Sequence, residues 1–105
     1  MQVGAAEFDD SSLGAFCEKW GVAELAVFGS VLRDDFRPDS DIDFLVTWLP
    51  GRMPALFDML DMKEELARLV RRGIDLAQRS VVEQDHNSIR KGNILSTAKV
   101  VYAAA

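Results

Sequence analysis

Cysteine and histidine are almost missing from this chain: Cys17 and His86 are the only ones among 105 residues. A single thiol excludes an internal disulfide and fits a reducing cytoplasm, which is where this reading places the protein. Cys17 falls among Leu13, Phe16 and Trp20 at helical spacing, which makes it a core residue rather than a nucleophile. His86 stands in a polar stretch and is read as solvated, not as a general base. No long apolar run and no signal peptide is recognisable, so a soluble protein with no membrane partner is expected. Cations are in deficit as well. Twelve Lys and Arg against 17 Asp and Glu give a formal net charge of −5, which disfavours direct nucleic-acid binding, since that draws on Lys and Arg contacts to phosphate.

What the chain does have is apolar residues, 49% of the total, enough for a single core. Residues 1–105 are therefore read as one domain, with 1–10 as a loose lead-in from which Phe8 packs as a staple. No internal repeat, linker or low-complexity segment breaks the chain.

The chemistry concentrates in residues 28–46, FGSVLRDDFRPDSDIDFLV. An apolar run ends at Gly29-Ser30, a polar connection follows, and then Asp41-Ile42-Asp43-Phe44-Leu45-Val46 alternates before turning wholly apolar. Side chains on a strand repeat every second residue, so Asp41 and Asp43 point to one face while Ile42, Phe44 and Val46 point to the other. Two carboxylates side by side raise each other's pKa unless a cation sits between them. Mg²⁺ suits the pair, because it takes hard oxygen ligands, commonly one or two carboxylates plus substrate phosphates. Gly29 lets backbone approach a ligand closely, Ser30 offers a hydroxyl, and a helix beginning there presents free N–H groups to an anion. Arg33, about one turn on, brings a guanidinium toward the same phosphates. Taken singly, Gly-Ser is a common turn and Asp-x-Asp a common strand cap; the combination is what points to a site.

Around this stretch the pattern predicts helices over 11–20, 54–71 and 87–103 and strands over 23–28, 41–48 and 73–78, with a short helix from Ser30 to about Asp34. Residues 37–40 form a turn and 81–87 a loop. Leu56, Met59, Leu60, Lys63, Leu66, Ala67 and Val70 mark the apolar stripe of the second helix, with Lys63 snorkelling; Met53, Met59 and Met62 read as core filler. Arg71 and Arg72 suit the helix end and Gly73 its stop. In the last helix Ile89, Ile94, Leu95, Ala98, Val101 and Tyr102 face the sheet. If strand 73–78 pairs beside strand 41–48 with Asp75 opposite Asp43, three carboxylates share one face.

At these residues the chain resembles the polymerase-β-like nucleotidyltransferases. Gly29-Ser30 followed by Asp41-Ile42-Asp43 is similar to their signature, and Arg33, Pro38, Asp39 and Ser40 narrow the resemblance to the minimal nucleotidyltransferases, antitoxins paired with a HEPN-domain toxin. It departs from many members in carrying Leu32 before Arg33 and Asp34 after it. The resemblance implies that Gly29, Ser30 and Arg33 hold the nucleotide triphosphate. It also implies that Asp41 and Asp43 bind Mg²⁺ and that Asp75, in the expected context for the third acid, completes the metal site. Larger relatives carry a second domain that grips the acceptor, so here a partner, or a second copy in a homodimer, is expected to complete the cleft.

The reading that results is an α/β (α+β) domain, a small mixed sheet with helices mainly on one face and the acids at its open edge. By resemblance it is expected to be a polymerase-β-like nucleotidyltransferase palm. Its expected activity is Mg²⁺-dependent transfer of AMP from ATP to a hydroxyl, by resemblance a tyrosine of a HEPN toxin, with Asp41, Asp43 and Asp75 as catalytic acids and Asp75 accepting the proton. Two alternatives stand beside it: an antitoxin that silences its partner by contact alone, and a nucleotidyltransferase acting on a small molecule of the antibiotic type.

Overall fold

A computed structural model describes every residue except Asp34 and Asp35. Its centre is a four-stranded sheet. The strands are β3 (Val22–Phe28), β4 (Ile42–Trp48), β5 (Ile74–Gln78) and β6 (Lys99–Ala103), in the order β5-β4-β3-β6. β3 runs antiparallel to both β4 and β6, while β4 and β5 are parallel, so the sheet is mixed. A parallel pair needs a crossover. Helix α2 (Leu56–Val70) supplies it between β4 and β5. Helix α1 (Asp10–Trp20) precedes β3, and α3 (Arg79–Glu83) and α4 (Ser88–Thr97) lie between β5 and β6.

The helices divide unequally between the two faces. Ile42, Phe44 and Val46 of β4 join Leu25, Val27 and Ile74 against Leu13, Phe16 and Cys17 of α1 and Met62 and Leu66 of α2. On the opposite face only Ala26, Leu45 and Val82 are buried together among the described residues, under Ile94, Leu95 and Ala98. The alternation seen in 41–46 is thus the division of the molecule into a large core and a thinly covered second face. Burial pushes the Cys17 thiol up to about 12, in keeping with a core role.

Several expectations need correction. Residues 1–10 carry more structure than their composition suggests: β1 (Gln2–Val3) pairs with β2 (Ala6–Glu7), and Ala5 N–H donates to the Val31 carbonyl at 2.9 Å. Phe8 is buried, in keeping with the packing expected of it, and its ring lies edge-on to Phe44 with centroids 6.0 Å apart. The helix expected over 87–103 ends at Thr97, and 99–103 forms β6. Lys-Val-Val-Tyr is β-branched and aromatic, and pairing along the free edge of β3 outweighs the helical spacing of Val101 and Tyr102. Within 81–87, expected to be loop, the first residues belong to α3.

The stripe of α2 is also rotated. Met62 and Leu66 are buried, but Leu56 and Leu60 are 72% and 53% exposed, with Phe57 and Met53 beside them in solvent. Pro54 stays outside the helix, one residue before the N-cap Ala55, and the helix stops not at Gly73 but at Arg71, which takes the left-handed conformation with φ 59°. Ile89, expected against the sheet, is exposed.

Candidate active site

The site is built where β3 ends and β4 and β5 begin. β3 delivers Gly29 at φ 76°, and Gly29–Leu32 makes a single 3₁₀ turn in place of the short helix expected from Ser30; the Asp34 end of that helix lies outside the described residues. Arg33 N–H closes the turn on the Ser30 carbonyl at 2.9 Å. In the antiparallel register Phe28 stands opposite Asp43, and in the parallel register Asp43 stands opposite Asp75. The glycine turn and two of the three candidate acids therefore sit across neighbouring strand ends.

Two glycines make room for the acids. A Cβ at Gly29 would come 2.5 Å from Asp43 Oδ2, closer than any side chain tolerates. A Cβ at Gly73 would come 2.4 Å from Asp41 Oδ1, and the Gly73 carbonyl accepts from Ile42 N–H at 3.0 Å. Gly73, read as a helix stop, instead supplies bare backbone beneath the Asp41 carboxylate.

The electrostatics follow from this crowding. Asp43 is half-buried, and its pKa is raised, first by burial, then by the charges of Asp75 and Asp41; Arg33 opposes the rise. Asp75 is more open, its side chain 66% exposed, with Lys63 Nζ 3.8 Å from Oδ1. Asp41 is exposed. Among the described residues no three acidic, histidine or cysteine side chains converge tightly enough to cage a metal ion by themselves. That donor set still fits a hard divalent cation that takes one or two carboxylates and completes its shell with substrate oxygens. An ion there would relieve the repulsion that raises Asp43.

Three residues near the site have roles that the sequence did not reveal. Arg72, read as a cation for a helix end, donates from Nη2 to the Pro38 carbonyl at 2.8 Å and from Nη1 to that of Arg37 at 3.4 Å, while its guanidinium stacks over Phe36 at 4.4 Å. It fastens the segment leading into Asp41. The turn there forms as expected, with Arg37 N–H donating to Ser40 Oγ at 3.1 Å. Lys63 is the second, and its signal was present: it was the one charge in the predicted apolar stripe. The third is Lys99, which lines a cavity of about 580 Å³ with Gly29 and Arg33.

A mixed sheet with a glycine-led turn facing strand-end carboxylates defines a class, the polymerase-β-like nucleotidyltransferase palm. The nucleotidyltransferase domain family matches residues 10–99, and the chain belongs to that family. It is similar to protein adenylyltransferase MntA of Thermococcus cleftensis, 36% identical over 63 residues, covering 60% of this chain and 62% of that protein. The match thus spans less than two thirds of that relative's length. A solved structure described as a minimal nucleotidyltransferase superposes with a TM-score of 0.65 at 28% identity, covering 86% of each chain. A complex of tri-AMPylated Shewanella oneidensis HEPN toxin with its MNT antitoxin gives a TM-score of 0.58 at 13% identity, over 90% of this chain and 70% of that one, a likeness of fold alone.

Proposed function

We propose that this protein is an antitoxin that transfers AMP from ATP to a tyrosine hydroxyl of a partner HEPN-type toxin in the cytoplasm. The observation that carries the reading is the alignment of Gly29, Asp43 and Asp75 across three adjacent strand ends, with Asp41 seated on Gly73. Membership of the nucleotidyltransferase family, the adenylyltransferase named among its relatives and the AMPylated toxin of the Shewanella complex support the choice of reaction and acceptor.

In this reading Gly29 and Ser30 receive the triphosphate along the turn, and Arg33 offsets its charge. Asp41 and Asp43, with Asp75 beside them, would hold Mg²⁺, which supplies neutralisation of the α-phosphate and acidifies the acceptor hydroxyl. Asp75 is exposed enough to meet an incoming tyrosine and to take its proton as the oxygen attacks the α-phosphate and pyrophosphate leaves. Lys63 Nζ stands 3.8 Å from Asp75 Oδ1, beside that carboxylate. Arg72 keeps Asp41 in place through the 36–40 segment.

The test is to mix the full chain with the HEPN-type toxin encoded beside it, Mg²⁺ and ATP, and to read the intact mass of both proteins. A gain of one or more AMP on the toxin, absent with the Asp41→Asn/Asp43→Asn variant, is expected. A complex that silences the toxin with no mass gain would replace this reading with neutralisation by contact.

A further inference from the structure

Gly29 has two sides. One faces Asp43; the other opens into the cavity of about 580 Å³ between the 3₁₀ turn and the C-terminal end of α4. Its polar lining is Arg33, Lys99, Asn93, Ser96 and Thr97, and none of the described lining residues is acidic. In a chain of net charge −5 this is an unusual concentration of donors and cations. Lys99 reaches it because β6 pairs with β3 through Val27 opposite Lys99, two residues before Gly29. The end of α4 contributes a partial negative charge of roughly half a unit, which the full charge of Lys99 outweighs.

We propose that Lys99 is the second cation, with Arg33, of a subsite that takes the terminal phosphates of the nucleotide, so that the triphosphate crosses Gly29 from the acidic side to the cationic side. The inference rests on the nucleotidyl-transfer reading and adds a residue to it. The division is electrostatic: the reacting phosphate lies by the carboxylates and the departing pyrophosphate lies between Arg33 and Lys99, with the Asn93 amide and the Ser96 hydroxyl as neutral donors. Leaving-group charge then grows where cations already stand.

Calorimetric titration of the full chain and its Lys99→Ala and Lys99→Arg variants with inorganic tripolyphosphate, ATP and AMP tests this. Lys99→Ala is expected to weaken tripolyphosphate and ATP alike, by about tenfold for one charge-assisted contact, and to leave AMP unchanged. Lys99→Arg should retain most of the affinity. Lys99 is exposed at the start of an edge strand, so the variant folds. Unchanged tripolyphosphate binding in Lys99→Ala, a loss for ATP only, or no tripolyphosphate binding by the parent chain overturns the subsite. The two readings fail separately. AMP transfer indifferent to Lys99 removes the subsite and keeps the transferase; Lys99-dependent tripolyphosphate binding without AMP transfer to the toxin does the reverse.

Discussion

The two faces of the sheet are built for different purposes. Against α1 and α2 lies a continuous core in which Leu13, Leu25, Phe44, Met62 and Leu66 are fully buried; against α3 and α4 a small cluster alone is covered among the described residues, and the strand ends carrying Asp43 and Asp75 stay open. Adjacent residues of one strand therefore answer to different demands. Phe44 contributes by excluding water, whereas Asp43 is held half-buried among like charges, an arrangement unfavourable to the isolated fold and suited to the cation of the proposed reaction. Apolar burial and crowded charge are separated by strand parity, over a distance of one residue.

The largest effect that would sharpen or break this contrast comes from that pair. Phe44→Ala should lower stability by about 3–5 kcal/mol, measured by urea unfolding, while Asp43→Asn should abolish AMP transfer and leave the fold intact. Loss of activity alone in Phe44→Ala would mean that the core face is not what holds the sheet together. Gly29→Ala joins the two regions. It forces a left-handed alanine against Asp43, and a loss of about 2 kcal/mol is expected together with loss of nucleotide binding. At the core-facing helix end, Arg71→Gly relieves a left-handed arginine and should raise stability by about 1 kcal/mol with transfer unaffected.

The smallest effect is the most diagnostic. A carboxyl whose pKa is raised on folding stabilises the fold below its unfolded pKa and loses that contribution as pH rises through the folded value. Ionised Asp43 therefore opposes folding at neutral pH. Without divalent ions, Asp43→Asn should melt above the parent chain at neutral pH, with the gap closing as pH falls below the carboxylate range. Mg²⁺ should raise the melting temperature of the parent more than that of the variant. A variant that melts lower at neutral pH would show that Asp43 is stabilised by its neighbours instead.

Much of the site was legible in the residues themselves because its parts are local. The Gly29-Ser30 turn, the opposite faces of Ile42 and Asp43, the 37–40 turn and the burial of Cys17 all follow from a few consecutive residues and the period of two or 3.6. Asp75 was legible only as a condition, since its use depended on pairing between strands about thirty residues apart; that pairing is now seen to place it opposite Asp43. The second helix shows the limit from the other side. Its apolar positions permit more than one buried face, and the sheet selects Met62 and Leu66 while leaving Leu56, Phe57 and Leu60 in solvent.

By itself, then, the sequence determined the fold class, the order of most elements and which face of β4 carries charge, because backbone geometry and hydrophobic periodicity act over short range. Only the tertiary structure decided that 99–103 is a strand, that Gly73 makes room for Asp41, that Arg72 grips the 36–40 segment and that Lys63 and Lys99 border the site. Each of those is a contact between residues distant in the chain, and its partner is fixed by register and packing, which no short window of sequence contains.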